Sequence, residues 1–163
     1  MTALLSLGSN LGDRVANINA AIDELERGIP HSSMFRAPLY ETEPVDVPGE
    51  YADVRFVNTA VAIETGIDPD ELSRIVHSVE DALGRVRGER HAPRVIDIDI
   101  VAFGDARSSR TDLRLPHPEA ASRRFVLAPL ADIVPDFILP GQKRTISELL
   151  AELPLRPAVA RLD

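Results

Sequence analysis

The sequence predicts an α+β sandwich of the ferredoxin-like kind: a βαββαβ order, a mainly antiparallel sheet with helices on one face, and extra elements at the C-terminus. Apolar runs of strand length at 3–7, 56–65 and 94–104 alternate with two segments of helical period. With an extended segment between the first helix and the second run, the order is strand, helix, strand, strand, helix, strand, which is the split βαβ arrangement. The chain has 163 residues, 44% apolar and 27% charged, enough for one domain with a sizeable core. Residues 1–163 are therefore expected to form a single domain, with no repeat, low-complexity tract or interdomain linker.

Each element has its own signal. "ALLSL" at 3–7 reads as a first strand entering "GSNLGDR", where Gly8 and Gly12 permit a tight turn and Asn10 or Asp13 caps the next helix. Val15, Ile18, Ile22 and Leu25 give that helix one apolar face, and Gly28 and Pro30 stop it. "SSMFRAPLYET" is extended, its proline marking an edge or a bulge, and "EPVDVPGEYADVR" is a long polar loop of the kind that serves as a lid. "RFVNTAVAIET" is a strand. Asp68 caps a helix that buries Leu72, Ile75, Val76, Val79 and Leu83 and ends at Gly84, with Glu80 at the edge of its buried face. After the run at 94–104 come a polar hairpin-like stretch, "GDARSSRTDLRL", then "PHPEAASRRFVLAPL", a short helix at 146–152 and a Pro-interrupted end.

Composition excludes several functions. There is no cysteine, so neither disulfides nor thiolate zinc sites are available, and a cytoplasmic setting is expected. The start lacks a leader pattern and no run of eighteen apolar residues occurs, so no membrane association is expected. A net charge of −8 and 4% aromatic residues argue against nucleic acid as a partner, including for the RNA-binding modules that share this sandwich.

Chemistry concentrates in "GRVRGERHAPRVIDIDIVAFG", residues 84–104. Alternation puts Ile96, Ile98 and Ile100 on one strand face and Asp97 and Asp99 on the other, with Cα atoms roughly 6–7 Å apart. Two like charges at that spacing repel unless something positive lies between them. Just upstream, Arg85, Arg87, Arg90 and Arg94 stand against Glu89 alone. Plain salt bridges would account for some of this, and a wet strand face for the aspartates. A site for a polyphosphate and its metal ions needs both signs side by side and accounts for all of it.

Six ordered blocks resemble one family, the 6-hydroxymethyl-7,8-dihydropterin pyrophosphokinases of folate synthesis. They are "LGSNLGDR" at 7–14, "YETEPV" at 40–45, "FVNTAVAIET" at 56–65, "VEDALGRVR" at 79–87, "PRVIDIDIVAFG" at 93–104 and "LPHPEAASRRFVLAPL" at 115–130. The resemblance implies transfer of pyrophosphate from ATP to the pterin hydroxymethyl group with release of AMP, in a monomer whose partners are these small molecules. It implies Asp97 and Asp99 as ligands of two Mg²⁺ ions, and Arg85 and Arg94 at the transferred phosphates, catalytic together with the aspartates. Arg87, Arg94, His117 and Arg123 would bind ATP, with Glu80 and Ile100 bordering the nucleoside. Phe56 and Phe125 would sandwich the pterin, and Asn58 would pair with its edge beside Thr42, Glu43 and Val45. By residue type alone both phenylalanines would be core, and His117 a packed histidine between prolines; Asn58, an amide in an apolar strand, demands a partner. The family often has Trp-Gly where this chain has His91-Ala92, a smaller surface for closing a loop over the substrates. Two other readings share the D-x-D pair: a metal-dependent phosphohydrolase or nucleotidyl transferase, and a catalytically silent relative.

Overall fold

The computed structural model describes residues 1–44, 49–51, 54–86 and 93–162. Its elements in order are β1 (Thr2–Ser9), α1 (Arg14–Gly28), β2 (Ser33–Arg36), β3 (Tyr40–Thr42), β4 (Phe56–Glu64), α2 (Pro69–Ala82), β5 (Asp97–Phe103), β6 (Ser108–Arg110), β7 (Leu113–Leu115), α3 (Arg124–Ile133), α4 (Ile146–Glu152) and β8 (Val159–Arg161). The main sheet runs β5-β1-β4-β3-β8, with β2 also on β4, and β6-β7 form a separate hairpin. Every pairing among these strands is antiparallel. The α+β class and split βαβ order expected from the sequence are what the chain forms.

Alternation along β1 and β4 divides the core in two. Leu5, Leu7, Val57, Val61 and Ile63, with Ile98 and Ile100 of β5, pack under α1 and α2. Leu4, Ala60, Ala62, Val101 and Ala102 face the other way, under Val126, Leu127 and Leu130 of α3 and Ile146 of α4. The two crossover helices thus share one face as expected, and the extra C-terminal helices cover the other face as a third layer. The register of β5 on β1 shifts between Leu4 and Leu5, which pair with Ala102 and Ile100. Val101 is the extra residue of this bulge, so Val101 and Ala102 both reach the α3 core while Phe103 turns back under α1 and α2.

Local chemistry sets the boundaries. Asp13, rather than Asn10, caps α1 by accepting from Ala16 N–H at 3.1 Å. Val15, expected on the buried face of α1, is 37% exposed at its first turn. Asp68 caps α2 at Glu71 N–H, 2.8 Å, and Thr145 and Glu148 form a reciprocal capping box on α4. The single extended segment expected before the long loop is two strands, because Pro38 has no N–H to give the ladder and interrupts the pairing on β4. Two elements were not expected: α3, which carries Pro129 inside it, and β8, which pairs with β3. Among the described residues no helix is long and apolar enough to cross a membrane.

Candidate active site

β5 is an edge strand, and a cleft of about 460 Å³ runs along it. One wall is α2, through Ser73, Val76 and His77; the other is the β6–β7 hairpin with the segment at 117–123. The floor is Asp97 to Ile100, with Arg85 and Arg94 at one end.

The aspartates project from the face opposite Ile98 and Ile100, and their charges are unequally answered. Asp97 is held on both oxygens: Arg85 Nη1 donates to Oδ1 at 2.9 Å and Arg94 Nη1 lies 3.3 Å from Oδ2. Asp99 has burial against it first, then the neighbouring Asp97 and Glu80 carboxylates, and its pKa is pushed up to about 7 despite Arg123 and Arg85. A donor set of two hard carboxylates with excess negative charge suits a divalent cation of the Mg²⁺ kind. Among the described residues no third His, Cys, Asp or Glu completes a metal site. The described residues thus offer two carboxylates, and substrate oxygens and water would complete the shell, the usual habit of Mg²⁺.

Asn10 ties the start of the aspartate strand to the end of β1. Its side-chain oxygen accepts from Arg94 N–H at 2.7 Å and its own N–H donates to Arg94 C=O at 3.2 Å. His117 donates its backbone N–H to Val101 C=O at 2.8 Å, and its Nδ1 accepts from Glu119 N–H at 3.2 Å. Burial lowers the His117 pKa, with the Arg123 charge adding to the effect. The ring is thus neutral near pH 7, leaving Nε2–H as its donor. Arg123 pairs with Glu119 and stands over the Phe125 ring at 5.5 Å, so one guanidinium links the cleft to the aromatic beside it.

Asn58 is 4% exposed, and its Nδ2 donates to Thr42 Oγ1 at 2.7 Å. Across the sheet Gly8 of β1 pairs with Asn58 on one side and Asp97 on the other. A Cβ at Gly8 would lie 2.6 Å from Asn58 Oδ1 and 3.5 Å from the Phe56 ring. The expectation of a turn role for Gly8 is corrected accordingly: it lies within β1, and what it supplies is room. Gly12, at φ +72°, is the turn glycine.

The family model for 7,8-dihydro-6-hydroxymethylpterin-pyrophosphokinase (HPPK) matches residues 4–135. The chain belongs to this family. The 2-amino-4-hydroxy-6-hydroxymethyldihydropteridine pyrophosphokinase of Methylorubrum extorquens is 42% identical over 151 residues, covering 93% of this chain and 92% of the relative. Its counterpart from Pseudomonas aeruginosa is 39% identical, covering 92% and 90%. Among solved structures, Plasmodium falciparum HPPK-DHPS with pterin and p-hydrobenzoate superposes with a TM-score of 0.68 at 16% identity, over 93% of this chain and 44% of that one. That likeness concerns the fold, and this chain spans less than half of that longer chain.

Of the residues that the HPPK resemblance singled out, Arg85, Arg94, Asp97, Asp99, Ile100, His117 and Arg123 come together along the cleft. Asn58 and Thr42 meet through their hydrogen bond, and Phe125 adjoins the cleft through Arg123. Glu43 is drawn toward the C-terminal segment: its N–H donates to Ala158 C=O at 3.0 Å and its side chain pairs with Arg156. Glu80, expected beside the nucleoside, lies beneath the cleft at 1% exposure, because its carboxylate turns in toward Arg85 and the amide of Ile98. Val45, Arg87 and His91 lie outside the described residues. Sequence reasoning missed Gly8 as a spacer, and the cleft walls formed by Ser73, His77 and the β6–β7 hairpin. Only Gly8, in "LGSN" opposite an in-strand asparagine, left a signal that pairing register would have decoded.

Proposed function

We propose that residues 1–163 form one pyrophosphokinase domain that transfers pyrophosphate from ATP to 6-hydroxymethyl-7,8-dihydropterin, giving AMP and the pterin pyrophosphate. The relatives carry this pyrophosphokinase activity, or folic acid synthesis, in their names. The observation that carries the reading is the joint presence of a carboxylate pair on an edge strand, two arginines held on it, and a buried amide two strands away, across Gly8 of β1. ATP takes the cleft, its nucleoside near Ile100 and its phosphates toward Arg85, Arg94, His117 and Arg123, with Arg87 as a further phosphate partner. The pterin takes the space at Asn58, Thr42, Phe56 and Phe125, its edge paired by Asn58 and by backbone groups near Glu43 and Val45.

The residues then have distinct tasks. Asn58 and the two rings orient the hydroxymethyl oxygen, so that an intermolecular attack on the β-phosphorus becomes a positioned one. Arg85 and Arg94 offer always-charged planar forks that exchange Asp97 for phosphate oxygens. Asp97 and Asp99 would hold two Mg²⁺ ions, which supply charge neutralisation on the phosphates and a lowered pKa at the attacking hydroxyl. The new bond joins the pterin oxygen to the β-phosphorus as the bond from that phosphorus to the AMP oxygen breaks; the hydroxyl proton passes to solvent. A monomer in the cytoplasm, with ATP and pterin as its only partners, completes the proposal.

Mass spectrometry of a mixture of the protein, ATP, Mg²⁺ and the pterin tests it. AMP and pterin pyrophosphate are expected in equal amounts. ADP or inorganic phosphate in place of AMP would point to a phosphotransferase or phosphohydrolase, and absence of turnover to a silent relative.

A further inference from the structure

Glu80 is the one charged side chain that is fully buried among the described residues. It sits in the last turn of α2, where its neighbours Val76 and Val79 pack into the core. A carboxylate at such a place costs more than an apolar side chain unless its bonds are used. Its Oε2 accepts from the N–H of Ile98 at 2.9 Å and also from Arg85 Nη1, and the same Arg85 nitrogen reaches Asp97 Oδ1 at 2.9 Å. The backbone closes the loop, Arg85 N–H donating to Glu80 C=O at 3.1 Å. One buried oxygen therefore joins an arginine at the cleft to the amide that lies between the two aspartates.

We infer that Glu80 is a positioning residue for the transfer step, a role that rests on the pyrophosphokinase reading above. It keeps the Arg85 guanidinium at the site when the phosphates draw it from Asp97, and it pins the Ile98 amide so that Asp97 and Asp99 keep their aim. Without it Arg85 keeps, among the described residues, Asp97, the partner it must leave. Contact with ATP or pterin is not part of the role, so binding survives its loss while turnover does not.

A double-mutant cycle tests this in the full chain. Glu80→Gln keeps the shape and removes the charge; kcat is expected to fall about 30-fold, with KM for ATP and pterin within about threefold of the wild type. In an Arg85→Ala background the same substitution is expected to cost less than about threefold, because the Gln oxygen still accepts from the Ile98 N–H and the guanidinium that the lost charge held is gone. Equal losses in both backgrounds would assign Glu80 a merely structural part and overturn the inference. Should Glu80→Gln fail to fold, Glu80→Asp, which keeps the charge but shortens the reach, takes its place in the cycle with the same expected non-additivity. A wild-type chain that forms no AMP would remove the pyrophosphokinase reading itself; an active wild type with an additive cycle would remove only the role of Glu80.

Discussion

Replacing Gly8 by alanine is the sharpest test of how the pterin edge is recognised. The added Cβ would lie 2.6 Å from Asn58 Oδ1, whereas ordinary contact begins near 3.4 Å, so the amide must retreat by 0.8 Å, the difference of the two. Asn58 cannot yield freely, since its Nδ2 is bonded to Thr42 Oγ1 at 2.7 Å in a buried setting. A displacement of that size stretches or breaks the bond, a loss of about 1–1.5 kcal/mol, and overpacking adds about 1–3 kcal/mol. The midpoint of thermal unfolding should fall by about 5–15 °C. If Asn58 pairs the pterin as proposed, misplacing its amide by most of an ångström should weaken pterin binding by about 10–100-fold, while ATP, proposed to lie along β5, should keep its affinity within about twofold. Isothermal titration with each substrate, beside calorimetry of the free protein, reads both effects. A pterin Kd within twofold of the wild type would show that Asn58 is not held against Gly8 for this purpose.

Other substitutions separate the remaining roles. Asp97→Ala and Asp99→Ala should each lower kcat by at least about 10²-fold, with far-ultraviolet circular dichroism unchanged; near-normal rates at saturating Mg²⁺ would rule the pair out as metal ligands. Thr42→Val removes the hydroxyl that orients Asn58 and should raise the pterin KM about 5–10-fold without altering that for ATP, by steady-state kinetics. The His117 pKa is lower in the fold than in the unfolded chain, so as pH drops below about 6.5 the unfolded chain takes up a proton that the fold resists. Stability is therefore lost on acidification through that range, and His117→Gln should lose less of its melting temperature between pH 7.5 and 5.5 than the wild type does; parallel curves would contradict this.

Legibility in the sequence followed how local each determinant is. α1, α2 and α4 were readable because their caps and apolar period lie within one segment, and β5 because Asp97 and Asp99 interrupt a strict alternation of isoleucines. α3 was hidden by Pro129, which argues against a helix interior, and by the unbroken apolar run from Phe125 to Ala131, which reads as readily as a buried strand. β8 was masked by the prolines before it, and its pairing with β3 joins residues more than a hundred positions apart. The same distinction runs through the site. Residue types announced the carboxylates and arginines, but the inward turn of Glu80 depends on β5 passing beside the end of α2, a tertiary fact.

The bulge at Val101 lets one strand answer to two different demands. Up to Ile100 the odd-numbered residues of β5 face away from the core under α1 and α2; beyond the bulge Phe103, again odd, belongs to that core. In an uninterrupted strand a choice of phase that aimed the aspartates outward would also have expelled Phe103 from its core, and a choice that kept Phe103 would have turned Asp97 and Asp99 into that core. The extra residue uncouples the aim of the chemistry from the packing of the strand's far end, so each can drift in sequence without disturbing the other.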